Sequence, residues 1–307
     1  MNHSPLISAC VLATALILAP ALSAQEGPAS DRAKAMALEK EGRNAEAEQI
    51  WEGIAKADPR NAEVLAHLGL LEGRQEHYDV AIDYLRRAEA INSDLPGLQM
   101  NLGLTFFKAS QFPDAIRIFS SEITKHPDEK RLTTLLGIAH FAIKDYLVAI
   151  PYLKRGSEYD TQNVSLRMFL EHGCLESRLY QCVLDAHKEI LALNADSAEA
   201  DMLAGEASFQ LHDSAGAAKL FRAAALQDPK HPNAHFALGY IFWAQDKWME
   251  AAGEFQLELQ NDPGHAMAQV YLADCRQQMS PAPPKTLPRP SLASLPELLD
   301  SLENPAP

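Results

Sequence analysis

The chain has 307 residues, 47% of them apolar, with 27 basic against 41 acidic residues and a formal net charge of −14. A phosphate backbone would be repelled by that balance and no segment gathers a basic stripe, so nucleic acid is not an expected partner. Anionic membrane surfaces are disfavoured on the same ground. Length alone would suggest about two globular domains, but the spacing of residues along the chain points to a different organisation.

The first predicted element is an export signal over residues 1–24. Leu6 to Leu22 is almost wholly apolar, too short for a comfortable membrane span, and ends in Ala21-Leu22-Ser23-Ala24 before the polar Gln25-Glu26. Cleavage after Ala24 is expected, giving an exported protein of the periplasm or cell envelope, or a secreted one. The leading residues depart from the usual pattern in holding no Lys or Arg. Ile7-Ser8-Ala9-Cys10 resembles a lipobox, so membrane association is expected only if the signal is retained or Cys10 is lipidated.

From Pro28 the chain repeats. Leu-Gly pairs stand at Leu68-Gly69, Leu102-Gly103, Leu136-Gly137 and Leu238-Gly239, all separated by 34 residues or a multiple of 34. Pro59, Pro127, Pro229 and Pro263 keep the same period, each placed to stop a helix because it lacks an amide donor and clashes with the preceding turn. Cuts every 34 residues give units beginning at Pro28, Ala62, Pro96, Lys130, Val164, Ala198 and Pro232. Seven units thus fill residues 28–265, with a closing helix over 266–279. Each unit reads as helix, short turn, helix.

Position eight of the unit is small in six of the seven: Ala35, Gly69, Gly103, Gly137, Gly205 and Gly239. Position twenty is Ala47, Ala81, Ala115, Ala149, Ala217 and Ala251, and position twenty-four is large: Trp51, Leu85, Phe119, Leu153, Phe221 and Phe255. Small residues let two helix backbones approach, and the large ones, with Tyr78, Phe112, Tyr146, Tyr180 and Trp248 at position seventeen, are expected to fill the core. Leu-Gly, Ala with an aromatic four later, and a terminal Asp-Pro together resemble the tetratricopeptide repeat family, over residues 28–279. The resemblance implies an all-α fold, an α-solenoid wound as a right-handed superhelix, with first helices lining its concave side. A single helical hairpin cannot offset its own ordering entropy of about 1–2 kcal/mol per residue, so such units are stable only as a stack. The first unit, with Lys34 at a usual Leu position, reads as the cap.

In that family positions 2, 5, 9, 12 and 13 of the first helix face the groove. The resemblance therefore implies a binding surface built from Met100, Asn101, Leu104 and Phe107, then Arg131 and Phe141, then Met168, Met202 and Phe209, and finally Phe236, Tyr240 and Trp243. A Met and aromatic lining adapts to varied apolar segments, although side chains at positions 5 and 12 also serve simply to pack helices. Of the five residues that clamp a terminal carboxylate in some relatives, Asn101 and Arg131 match; Ala66, Leu70 and Leu135 hold the other places, so a clamp is not expected.

The fifth unit breaks the pattern with Glu171 for Gly, Val183 for Ala and His187 for the large apolar residue. It also contains Cys174 and Cys182, on opposite sides of its turn. A disulfide, a pair of free buried thiols, and a metal site with His172 and His187 are all open, though the spacing fits no usual zinc motif. Cys275, in the closing helix, reads as a buried small apolar residue. Beyond Met279 a Pro-rich tail over 280–307 carries Leu292, Leu295, Leu298, Leu299 and Leu302 at helical spacing, after a capping-box pattern of Ser294 and Glu297. A short amphipathic helix on a flexible tether is expected, free, docked in the chain's own groove, or bound to a partner.

No nucleophile elbow, phosphate loop, zinc-protease motif or dinucleotide fingerprint occurs, and His231 and His235 flank a helix start at Pro232. The expected function is a non-enzymatic scaffold of the cell envelope that binds a protein or peptide in its groove to assist complex assembly. No cofactor, metal or small-molecule substrate is expected. The alternative is a permanent, pilotin-like subunit of an outer-membrane or pilus-type complex.

Overall fold

The computed structural model describes residues 28–280, with Leu295 and Leu299 beyond them; the expected signal and most of the tail lie outside the described residues. Helices alone make up the regular structure of the described residues, paired as hairpins. They are α1 (Pro28–Lys40) with α2 (Asn44–Ala57), α3 (Ala62–Arg74) with α4 (Tyr78–Ile91), α5 (Leu98–Lys108) with α6 (Phe112–Lys125), and α7 (Lys130–Ala142) with α8 (Tyr146–Tyr159). After them come α9 (Val164–Glu176) with α10 (Tyr180–Ala192), α11 (Ala198–Gln210) with α12 (Ser214–Gln227), α13 (Ala234–Ala244) with α14 (Trp248–Asn261), and the closing α15 (Ala266–Gln278). The fold is an all-α solenoid. No described helix is long and apolar enough to cross a membrane.

Every second helix begins at the seventeenth residue of its unit, and most first helices begin at the first. Two do not. The units cut at Pro96 and Pro232 start their helices at Leu98 and Ala234, because Gly97 (φ 76°) and Asn233 (φ 62°) take a left-handed conformation that a right-handed helix cannot contain. Asn233 thus offers no side-chain cap, and Glu258 from α14 substitutes, its carboxylate accepting from the amides of Asn233 at 3.3 Å and Phe236 at 3.0 Å. Elsewhere the residue before the first helix caps it directly, as Asn61, Asn163 and Ser197 do.

The turn inside each hairpin is the same every time. Residue sixteen donates its amide to the carbonyl of residue eleven, as Leu179 to Cys174 at 2.8 Å, and residue fifteen donates to residue twelve, as Arg178 to Leu175 at 2.8 Å. This is a Schellman closure, and it requires a left-handed residue at position fifteen. At the far end of the unit, α2, α6, α12 and α14 stop two residues before Pro59, Pro127, Pro229 and Pro263. The helices α4 and α8 stop at the same register although Ser93 and Thr161 stand where proline would be. Proline therefore reinforces a boundary that the stacking of the next unit already sets.

Close approach explains the small-and-large pairing. A Cβ placed on Gly69, Gly103, Gly205 or Gly239 would lie 2.6–2.8 Å from the Leu85, Phe119, Phe221 or Phe255 side chain of the same unit. The alanines at position twenty and large residues at position twenty-four are fully buried. Position seventeen differs from expectation: Tyr78, Phe112, Tyr146, Tyr180 and Trp248 are only half-buried. Each opens its helix right after the turn, at the edge of the hairpin, so one side of its ring meets solvent. First helices touch across units, α3 with α5, α7 with α9, α9 with α11 and α13 with α15, while no two second helices come as near. The array therefore curves with its first helices on the inner, concave side.

Candidate binding surface

The concave surface divides into two halves of different character. On α5, α7 and α9 the side chains of Met100, Leu104, Phe107, Phe141 and Met168 are half-buried, with one side packed on the core and one side open. Residues at position seventeen brace them from the end of the hairpin: Phe107 meets Phe112 edge-on at 5.5 Å, and Phe141 meets Tyr146 at 5.4 Å. Phe141 also contacts Phe169 at 4.9 Å and His172 at 5.4 Å, so units four and five share one aromatic ledge.

On α11 and α13 the expected open lining is not found. Met202 is half-buried, but Phe209, Phe236, Tyr240 and Trp243 are 0–3% exposed and belong to a core cluster with Tyr271 of α15. The closing helix accounts for part of this: Tyr271 packs on Tyr240 and Trp243, and the Trp243 indole donates to Asp274 at 2.7 Å. Burial pushes the Tyr271 hydroxyl up. Leu295 and Leu299, both helical, are buried in the same cluster and account for more. Cys275 lies beneath, fully buried, its thiol pushed up to about 11 by burial.

A cavity of about 160 Å³ opens between the first helices of units two to four. Its walls carry Arg74, Asn101, Lys108 and Arg131 around Leu70, Tyr78, Leu104 and Thr105. Asn101 and Arg131 were expected on this face and meet here, Asn101 half-buried and Arg131 exposed. Arg74 and Lys108 were missed. Both stand at position thirteen of their units, a groove position whose residues alone would have revealed them. In a chain of net charge −14, this concavity gathers three cations, Arg74, Lys108 and Arg131, of which Arg74 also lies 3.8 Å from Glu39.

The fifth unit keeps the geometry of its neighbours with different chemistry. Glu171 and His187 occupy the small and large positions, and the imidazole Nδ1 lies 3.1 Å from Glu171 Oε1. Its Nε2 lies 3.3 Å from Asp201 Oδ1 on α11, and all three side chains are buried. Asp201 also accepts from Gln227 at 2.9 Å. Burial pushes the Glu171 carboxyl up, against the opposing hydrogen bond from His187, to about 7. For His187 burial pulls down, but the hydrogen bonds to Asp201 and Glu171 outweigh it and hold the imidazole at about 9. Beside this triad Cys174 and Cys182 form a disulfide with Cα atoms 5.8 Å apart. The metal arrangement is not assembled: the sulfurs are bonded, His187 sits between two carboxylates, and His172 pairs with Glu176 at 3.8 Å. No group of three or more His, Cys, Asp or Glu side chains among the described residues is placed to hold a metal ion.

A tetratricopeptide repeat family model matches residues 32–96, 100–160 and 202–266. The longest unmatched stretch between these matches, 161–201, holds the fifth unit, where Glu171, Val183 and His187 displace the repeat's usual residues. Among solved structures, the C-terminal part of a repeat-containing protein from Cytophaga hutchinsonii superposes with a TM-score of 0.62 at 14% identity, over 78% of this chain and 98% of that one. A tetratricopeptide repeat protein from Parabacteroides merdae gives 0.48 at 15% identity, over 80% and 97%, and pilF of Pseudomonas aeruginosa 0.46 at 16%, over 71% and 97%. At these identities the first shares the fold alone, and the other two superpose only in part. No curated protein matches the chain in sequence. The family model spans more than half of the chain, in register with the seven stacked hairpins, and the chain belongs to the tetratricopeptide repeat family.

Proposed function

We propose that this chain is a non-catalytic scaffold of the cell envelope, periplasmic or secreted, that receives a protein or peptide segment along the first helices of units two to five and so assists assembly of a complex. Proteins of this family in general mediate protein–protein interaction. The observation that carries the reading here is the continuity of half-exposed apolar side chains from Met100 through Phe107 and Phe141 to Met168, starting beside the pocket of Arg74, Lys108 and Arg131. Such a surface suits an extended or helical segment with apolar anchors and an acidic residue or terminal carboxylate at one end. Export is supported by the apolar run before Gln25 and by the Cys174–Cys182 disulfide, which persists in oxidising compartments.

Site-specific photo-crosslinking in the envelope tests this. Probes at Met100, Phe141 and Met168 should trap the same partner, whereas probes at Leu226 and Met249, which are 76% exposed on second helices, should not. Equal capture from both faces would remove the concave-surface reading. Combining Phe107→Ala, Phe141→Ala and Met168→Ala should weaken the captured complex at least about tenfold, and Arg131→Glu should weaken it further in a salt-dependent way. Phe209 is unsuitable for such a test because it is buried in the core.

A further inference from the structure

The buried half of the concave surface has an occupant from the chain itself. Leu295 and Leu299 are helical, four residues apart, and 0% and 6% exposed. A spacing of four puts both side chains on one helix face. They share a cluster with Phe209, Phe236, Tyr240 and Trp243, and Leu299 lines a cavity with Glu199, Met202, Leu203, Glu206 and His231. Those residues belong to α11, α13 and the turn before α13, so the contact lies on the same concave side that stays open in units three to five. We propose that units six and seven form a second binding site, specific for a short amphipathic helix with two apolar anchors four residues apart, and that the segment around Leu295 and Leu299 is its resident ligand. The inference rests on the reading of the concave face as a binding surface, and it divides that face into an open half and a self-occupied half.

The two leucines drive the docking, and the covalent tether gives their segment a high effective concentration that a free peptide lacks. A partner helix with the same two anchors must therefore compete with the tethered copy for units six and seven.

The test uses a fluorescent peptide of residues 290–307, titrated with the full chain and with the full chain carrying Leu295→Asp and Leu299→Asp. Both substitutions lie beyond α15, and an unchanged circular dichroism spectrum is the control that the array is intact. Anisotropy should report binding to the substituted chain at least about tenfold tighter than to the natural chain, because the tethered competitor has been removed. Adding Met202→Asp to the substituted chain should abolish that binding. Equal affinity for the two chains, no binding to the substituted chain, or binding that survives Met202→Asp would each overturn the proposal. The crosslinks at Met100, Phe141 and Met168 report on the open half, so either reading can fail while the other stands.

Discussion

Position fifteen of the unit is Gly42 in the first hairpin and Glu76, Ser110, Lys144, Arg178, His212 and Asp246 in the next six, all at φ between 58° and 76°. An L side chain in this region crowds its own carbonyl, at a cost of roughly 1–2 kcal/mol, and the sequence meets that cost six times to close its turns. Lys144→Gly, at an exposed site, should therefore raise stability by about 1 kcal/mol, read as a higher urea midpoint at constant slope. The helical glycines behave oppositely. Gly205→Ala would put a Cβ 2.6 Å from Phe221 Cε1 and should cost about 1–3 kcal/mol by overpacking. Gly53→Ala meets nothing within 4 Å and should stabilise α2 by about 1 kcal/mol. The packing glycines were legible in the sequence because a glycine recurring opposite a large residue has a steric reason. The left-handed residues were not, because position fifteen has no consistent side chain: the backbone of the preceding turn dictates the conformation.

Among the elements, α9 and α10 depart furthest from their neighbours. The helix α10 ends one residue early in its unit and closes on a left-handed Asn194 (φ 52°), with Ala195 donating to Ile190 at 3.3 Å. Inside the hairpin, the raised folded-state values of Glu171 and His187 make stability depend on pH in one direction. The Glu171 contribution is full below its unfolded value near 4.5 and lost as pH rises through about 7, and that of His187 is full below about 6.5 and lost through about 9. Thermal midpoints should therefore fall steadily between pH 5.5 and 9. A double variant, Glu171→Gly with His187→Phe, restores the pairing seen at Gly205 and Phe221, leaves Asp201 its bond from Gln227, and should flatten that slope. An unchanged slope would show that the triad is not its source. The disulfide closes a short loop, with a sequence separation of 8, and the chain-entropy account gives such a loop about 2–3 kcal/mol. Cys182→Ser should cost about that much, measured by denaturant unfolding of the oxidised protein. Sequence reading located this unit as irregular and named its own departing residues, Glu171, Val183 and His187, but left the chemistry of Cys174 and Cys182 open. Asp201 escaped it, since the third member of the triad comes from the next unit and only stacking brings it within reach.

Across the whole molecule the sequence was most informative about register and least about coverage. Seven hairpins and the closing helix stand where the 34-residue period puts them, because each unit buries the same face against the next. The same letters, however, describe an open groove and a filled one. Phe209, Phe236, Tyr240 and Trp243 occupy the positions that Met100, Leu104, Phe107 and Phe141 occupy in earlier units, and they are buried in a cluster that the closing helix and two leucines of the tail share. Periodicity assigns a side chain to a face and says nothing of what lies on it. The constancy of the turn closures also has a mechanical consequence. Asn163 and Ser197 cap successive first helices in the same way, so excising residues 164–197 would leave Asn163 ahead of Ala198 with a capping residue still in place. The shortened protein should fold cooperatively with one hairpin's less helical signal and without the disulfide. On the proposed reading the array is a ruler whose graduations are hairpins: deleting the fifth would bring the two cargoes one hairpin closer and would take Met168 out of the open grip.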